Sequence, residues 1–242
     1  MANDHKYYLS VVIPAYNEEK KISRDIEAVY EYFKESSIKG ELILVDDGSQ
    51  DKTYEVASKY SSIFPSLKII SYKKNKGKGF ATKTGILAAY GEYILLADSG
   101  ICVPYKFTNS GLEELKQGAD IAIGSRKGHD KVKILIKQPF YRQLGSKLFH
   151  FLIKIFKLIP PGIEDTQCGF KLFKLEAGHK IFQEMFTEKF MWDIEMLRRA
   201  VKKDYKVVSF PVDWSNDPDS RFNPIVGSFE NLLQIILVIL KT

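Results

Sequence analysis

Short apolar runs alternate with amphipathic stretches through the first half of the chain. Leu9 to Ile13 reads as a strand closed by Pro14. Glu18 to Lys34 reads as a helix, because Ile22, Ile26, Val29 and Phe33 recur on one face. Glu41 to Val45 is a second strand, and Asp51 is placed to cap a helix running through Ser58. A third strand is expected at Leu67 to Ser71, a helix at Lys78 to Tyr90 and a fourth strand at Tyr93 to Ala97. Continuous apolar strands separated by helices predict a mostly parallel sheet in an α/β fold. The second half is less regular. A strand at Asp120 to Gly124 precedes Ser125-Arg126, then a basic loop, a helical stretch from Pro139 to Leu158 and a Pro160-Pro161-Gly162 break. No repeat or linker interrupts the chain, so residues 1–242 read as one domain. A nucleotide-binding half would run to about 124 and an acceptor half would follow.

In such a sheet, ligands bind at the carboxyl ends of the strands. Those ends carry Pro14-Ala15-Tyr16-Asn17-Glu18, Asp46-Asp47-Gly48-Ser49 and Asp98-Ser99-Gly100. Carboxylates at that edge can bond ribose hydroxyls or a base, or hold Mg²⁺ or Mn²⁺ against phosphates. Asp and Gly also end strands for purely structural reasons, but three such ends on one edge favour a site. Asn75-Lys76-Gly77-Lys78-Gly79 opens a helix on the same side, where glycine backbone and a helix start suit a phosphate.

Composition narrows the class. Of 242 residues, 45% are hydrophobic and 27% charged, as in a soluble globular domain that needs no metal or disulfide to fold. Cys102 and Cys168 match no CxxC pattern and read as reduced thiols, as in a cytosolic compartment. No run of about 18 apolar residues exists, so no spanning helix is expected in this chain. Leu232 to Leu240 is nonetheless apolar except for Gln234, as just before a membrane segment. The net charge of +6 becomes informative by position. On a helical wheel over Phe140 to Leu158, Arg142, Lys147, His150, Lys154 and Lys157 share an arc of roughly 140°. Leu and Phe residues fill the other side, a pattern shared by helices lying in a membrane interface and by core helices with a solvated face. Ile225 to Leu240 offers a second interfacial stretch. No nucleic-acid-binding module is visible, and the basic stretch is interleaved with aliphatic residues rather than stacking aromatics.

Taken together, the segments Ser10 to Glu19, Leu44 to Ser49, Asn75 to Gly79, Gly124-Ser125-Arg126 and Asp165 to Phe173 resemble family 2 glycosyltransferases of the GT-A fold. Asp165-Thr166-Gln167-Cys168-Gly169-Phe170-Lys171 and Trp192-Asp193-Ile194-Glu195 resemble the branch that makes dolichyl-phosphate glucose, with dolichyl-phosphate mannose synthases close by. The resemblance implies an inverting transfer of a hexose from a nucleotide sugar to a polyprenyl or dolichyl phosphate. UDP-glucose is favoured as donor over GDP-mannose. It also implies a peripheral enzyme on the cytoplasmic face of a membrane, which favours the interfacial reading of the amphipathic helix. At matching positions Pro14, Ala15, Tyr16 and Glu18 would border the nucleotide, and Asp46 and Asp47 would hold the base or ribose. Lys78 and Gly79 would close around base and diphosphate, and Asp98 would be the first residue of an Asp-x-Asp metal motif.

One departure stands out: Gly100 occupies the position of the second carboxylate. Three readings follow, namely a Mg²⁺ or Mn²⁺ held by Asp98 alone, a metal-independent enzyme, or a catalytically silent membrane-bound homologue. Transfer to a soluble or glycan acceptor is a further alternative. A lipid phosphate is already ionised near neutral pH, with a second pKa of about 6, so it needs cations more than a general base. Arg126, Arg142 and Arg221 are the candidates for that charge, and Asp193 and Glu195 for base or orienting groups.

Overall fold

The computed structural model describes residues 5–127, 159–189, 191–215 and 228–242. The expected alternation is present: β1 (Tyr7–Ala15), α1 (Ile22–Glu35), β2 (Gly40–Asp46), α2 (Thr53–Ser58), β3 (Leu67–Ser71), α3 (Lys78–Leu87) and β4 (Gly91–Ala97). A short 3₁₀ turn leads into α4 (Thr108–Lys116) and β5 (Ile121–Ser125). After the segment outside the described residues come β6 (Phe170–Lys174), α5 (Leu175–Glu184), α6 (Trp192–Lys202), β7 (Val207–Pro211) and α7 (Ser228–Lys241).

All seven strands join one sheet in the order β3-β2-β1-β4-β6-β5-β7. β1 pairs in parallel with β2 and β4, β2 with β3, and β5 with β7, whereas β6 is antiparallel to both β4 and β5. The fold is therefore α/β with a mostly parallel sheet flanked by helices. The reversed strand was not legible beforehand, because Phe-Lys-Leu-Phe-Lys carries a lysine where a buried strand should be apolar. Its reversal matters for the site. Phe170 pairs with Ala97 and Lys171 with Ile123, so the chain entering β6 arrives at the edge where β4 and β5 end.

The two sheet faces are covered separately. Val11, Ile13, Leu42, Leu44 and Leu95 pack against Ile22, Ile26, Val29 and Phe33 of α1 and Leu112 and Leu115 of α4. Val12, Ile43, Val45, Ile94 and Phe173 pack against α3, α5 and α6 through Ile86, Ile181, Phe182, Trp192 and Leu197. Each fully buried aliphatic side chain contributes roughly 1.5–3 kcal/mol. This two-sided burial is why the strands carry apolar residues in succession.

Element ends differ from expectation where side chains intervene. The first helix starts at Ile22 rather than Glu18, because residues 17–19 are tied sideways. Ser49 Oγ accepts from Asn17 N, Thr53 Oγ1 from Glu18 N, and Asp51 Oδ2 from Glu19 N. The second helix is capped one residue later than expected, at Lys52 and without a side-chain cap bond; Asp51 precedes it and closes a turn, its Oδ1 accepting from Thr53 N at 3.0 Å. Val238 of α7 is buried, while Ile236, Leu237 and Leu240 stay exposed. Among the described residues no helix is long and apolar enough to cross a membrane. The expected helix over 140–158, with Arg142, and the segment holding Arg221 lie outside the described residues.

Candidate active site

The parallel register delivers the ends of β1, β2, β4 and β5 to one edge, and the site grows from what those ends carry. Pro14 and Ala15 finish β1, and Tyr16 to Glu18 leave it in a turn with Asn17 at φ 55. Glu18 pairs with Lys21 at 2.8 Å, and Gln50 N donates to Asn17 Oδ1 at 2.7 Å. These bonds make a polar wall from residues 17–21 and 49–53.

Asp46 and Asp47 are buried, not presented to solvent. Asp46 accepts from Ser49 N and Ser71 Oγ, both at 3.0 Å. Asp47 is used more fully. Its Oδ1 accepts from Tyr72 OH at 2.6 Å and Lys76 N at 2.9 Å; its Oδ2 accepts from Asn75 Nδ2 and Gly77 N, both at 2.9 Å. Burial and the Asp47 carboxylate push the Tyr72 phenol well above its ordinary value, which keeps it protonated and donating. Asp47 thus shapes the loop from Lys74 to Gly77 from beneath, while Asp46 ties the 46–49 turn to the end of β3. Gly48 makes the fit possible. It sits at φ 68, and a Cβ there would lie 2.6 Å from Asn75 N.

That loop feeds α3. Gly77 and Gly79 lie against the backbone of Thr187 and Glu188, with Cβ positions 2.7 and 2.5 Å from carbonyl oxygens. Phe80 N donates to Glu188 O at 2.9 Å. Glu195 holds this second loop in place. It is fully buried, and its carboxylate accepts from Phe186 N, Thr187 N and Arg199 Nε. Every bond it makes is to its own framework, so geometry gives it an orienting place rather than that of a base.

Lys78, the first residue of α3, reaches Asp98 at the end of β4, with Nζ 2.7 Å from Oδ1. About a third of each side chain meets solvent. Burial works against the ammonium, but the Asp98 carboxylate outweighs it and holds Lys78 above its ordinary value, with Asp193 adding to the effect. Asp98 is pinned by β6: its N donates to Gly169 O at 2.9 Å. A Cβ on Gly169 would lie 1.9 Å from Asp98 Oδ2. Asp98 Oδ1 is buried, and among the described residues the contact it makes is to the Lys78 ammonium. A buried carboxylate oxygen in that condition suits a hard cation. The residues present therefore fit one protein ligand to Mg²⁺ or Mn²⁺, with diphosphate and water left to complete the shell. Among the described residues, no three His, Cys, Asp or Glu side chains converge on such an ion.

Arg126 follows β5 and forms a two-pronged pair with Asp165, Nε and Nη2 each 2.7 Å from a carboxylate oxygen. Its own N–H also donates to Asp165 at 3.0 Å, and its guanidinium lies 5.3 Å from the Trp214 ring. Burial opposes ionisation of Asp165, yet the Arg126 hydrogen bond and charge win and lower its pKa. Asp193 pairs with Lys171, a fully buried lysine of β6, at 2.6 Å. Lys171 also donates to Cys168 O at 2.5 Å and lies over the Trp192 ring. Burial still leaves the Asp193 carboxyl above its ordinary value, with Lys171 opposing. Both cysteines are free thiols, and burial pushes Cys168 up to about 11.

The edge thus gathers Pro14 to Glu18, Asp46, Asp47, Lys78, Gly79, Asp98 and Arg126, with Asp193 and Glu195 behind. Sequence gives no site role to Lys171, Tyr72 or Asp165, although Lys171 and Asp165 lie in a segment that carries the resemblance. A lysine at a buried strand position was the available signal for the first.

The comparisons agree with this architecture. The family described as Glycosyl transferase family 2 matches residues 10–182. A dolichyl-phosphate beta-glucosyltransferase from Dictyostelium discoideum is 32% identical, over 96% of this chain and 73% of its own length. A human protein of that name is 34% identical over 89% of this chain and 70% of its own. A Saccharomyces cerevisiae one is 30% identical over 98% and 75%. Among solved structures, glucosyl-3-phosphoglycerate synthase from Mycobacterium tuberculosis in complex with UDP superimposes with TM-score 0.70 at 18% identity, covering 97% of this chain and 79% of that one. The same synthase with Mn²⁺, UDP-glucose and phosphoglyceric acid gives 0.68 at 18%, covering 96% and 80%. Strand order, the acid-lined edge and the extent of these matches lead to one assignment: the chain belongs to glycosyl transferase family 2 and is a glycosyltransferase of the GT-A fold.

Proposed function

We propose that this glycosyltransferase moves glucose from UDP-glucose to a polyprenyl or dolichyl phosphate, with inversion, at a membrane surface. The observation that carries the substrate reading is the similarity to dolichyl-phosphate beta-glucosyltransferases across nearly the whole chain. The geometry supports a donor at the edge between Pro14 to Glu18, the Lys74 to Gly77 loop and Asp98. The lipid phosphate oxygen attacks the anomeric carbon, the bond to the diphosphate breaks, and the nucleoside diphosphate leaves. The nucleophile is already an anion, so no proton need be removed. That agrees with Asp193 being committed to Lys171 and Glu195 to backbone amides.

The burden falls on cations. Lys78, paired with Asp98 at 2.7 Å, is the candidate to meet the diphosphate. Arg126 keeps part of its surface open beside Asp165, and Arg142 and Arg221 are further candidates. A divalent ion held by Asp98 would neutralise charge developing on the leaving diphosphate. The exposed Ile236, Leu237 and Leu240 of α7 and the basic helix expected over 140–158 support peripheral contact with a membrane surface.

A donor panel tests the reading. UDP-glucose and GDP-mannose, each labelled in the sugar, are incubated with dolichyl phosphate in vesicles, with and without Mn²⁺. Organic-phase label from UDP-glucose is expected. No turnover with any donor would favour the silent homologue that Gly100 suggests.

A further inference from the structure

The strand-end turn that carries Asp98 is held by a residue on another element. Asp25 lies within α1 and is 1% exposed. Its Oδ2 accepts from Ser99 Oγ at 2.6 Å, and Gly100 N donates to its two oxygens at 2.9 and 3.1 Å. The neighbouring Arg24 donates from Nη2 to Gly100 O at 3.1 Å. Two consecutive residues of α1 therefore take both the N–H and the C=O of Gly100.

The turn needs such support. Gly100 has φ 97 and Ile101 has φ 51. A β-branched residue in the left-handed region persists only where its surroundings impose it. On the opposite side, Gly169 accepts from Asp98 N, and its missing side chain leaves the space that the Asp98 carboxylate occupies. Asp98 is thus bracketed by β6 on one side and α1 on the other. Core packing does not ask for Asp25. The apolar stripe of α1 is complete without it, aspartate is a poor residue inside a helix, and burying a carboxylate among neutral donors costs stability.

We propose that Asp25 is a positioning residue for the donor site. With Arg24 it locks the Ser99–Gly100 turn and so aims Asp98, at the point where Gly100 supplies no second carboxylate. This rests on reading Asp98 as the donor-site carboxylate, so the test carries one readout that needs no substrate. In Asp25→Ala, amide exchange at Gly100 should rise about 10-fold or more, with exchange in β2 and α5 unchanged. Turnover should fall about 10- to 100-fold, as for groups that orient a ligating residue. Nucleoside diphosphate affinity, measured with UDP and Mn²⁺ by calorimetry, should weaken in Asp25→Ala but lose nothing further once Asp98 is Asn. Asp25→Asn, which keeps an acceptor oxygen, should recover much of the turnover. If Asp25→Ala does not fold, Ser99→Ala removes one of the same bonds and should lower turnover about 3-fold. Unchanged Gly100 exchange, normal turnover despite faster exchange, or losses that add to those of Asp98→Asn would each overturn the proposal. A wild-type protein inert toward every donor, with Gly100 exchange still dependent on Asp25, would instead locate the failure in the donor reading.

Discussion

Gly169 is among the most constrained residues at the site. Its missing side chain is the space that the Asp98 carboxylate fills. Gly169→Ala should displace that carboxylate while leaving the sheet intact, and a displacement near 1 Å can cost about 100-fold in rate. Steady-state kinetics alongside a thermal melt check this; normal turnover at an unchanged melting temperature would free Asp98 of its role. Asp165 makes a separate prediction. Its folded pKa lies below the ordinary 3.8, so its pair with Arg126 stabilises the fold above that value. The contribution is lost as pH falls through the lowered folded pKa. Asp165→Asn should therefore cost roughly 1–3 kcal/mol at neutral pH. The gap from wild type should close on acidification below about 3.8, as read by denaturant titration across pH. The two residues differ in how far sequence exposed them. The Asp98 position was legible because a carboxylate ends an apolar strand. The Gly169 contact was not, because it exists only once a reversed strand is placed beside β4.

At the scale of elements, the strands and helices before Ala97 followed from periodicity, since burial on both sheet faces writes an unbroken apolar run. β6 did not follow, because Lys171 interrupts it. The structure explains the lysine: a fully buried ammonium pairs with Asp193 at 2.6 Å and ties β6 to the start of α6. Removing one partner of such a pair costs more than replacing both. Lys171→Met should destabilise by about 3–5 kcal/mol, and adding Asp193→Leu should return most of it. Chemical denaturation of the two variants decides the matter; equal stability of the single and double variants would contradict it. The same distinction applies to Asp46, Asp47 and Glu195. Sequence placed them near the ligand edge but could not show that Asp46 is spent on Ser49 and Ser71, Asp47 on the loop at residues 74–77 and Glu195 on the loop at 186–187. Ser49 apart, those partners lie 8 to 30 positions away along the chain.

Over the whole molecule, the fold brings opposite charges from different elements to one edge. Acidic groups end β1, β2 and β4, and cations enter from α3 and from the end of β5. The modest net charge hid this arrangement, because the contributions cancel in the sum, and at Lys78–Asp98 and Arg126–Asp165 they also pair directly at 2.7 Å. A sheet edge of this kind can serve a nucleotide sugar whatever the acceptor, and the fold neighbours include a synthase named for a soluble phosphoglycerate acceptor. The central claim therefore turns on the acceptor. The most direct measurement is a competition in one vessel: labelled UDP-glucose, dolichyl phosphate in vesicles and 3-phosphoglycerate in the aqueous phase at equal concentration. The account predicts that glucose label partitions into the organic phase as a lipid phosphate product. Label confined to a water-soluble glucosyl phosphoglycerate, with none in the lipid, would contradict it.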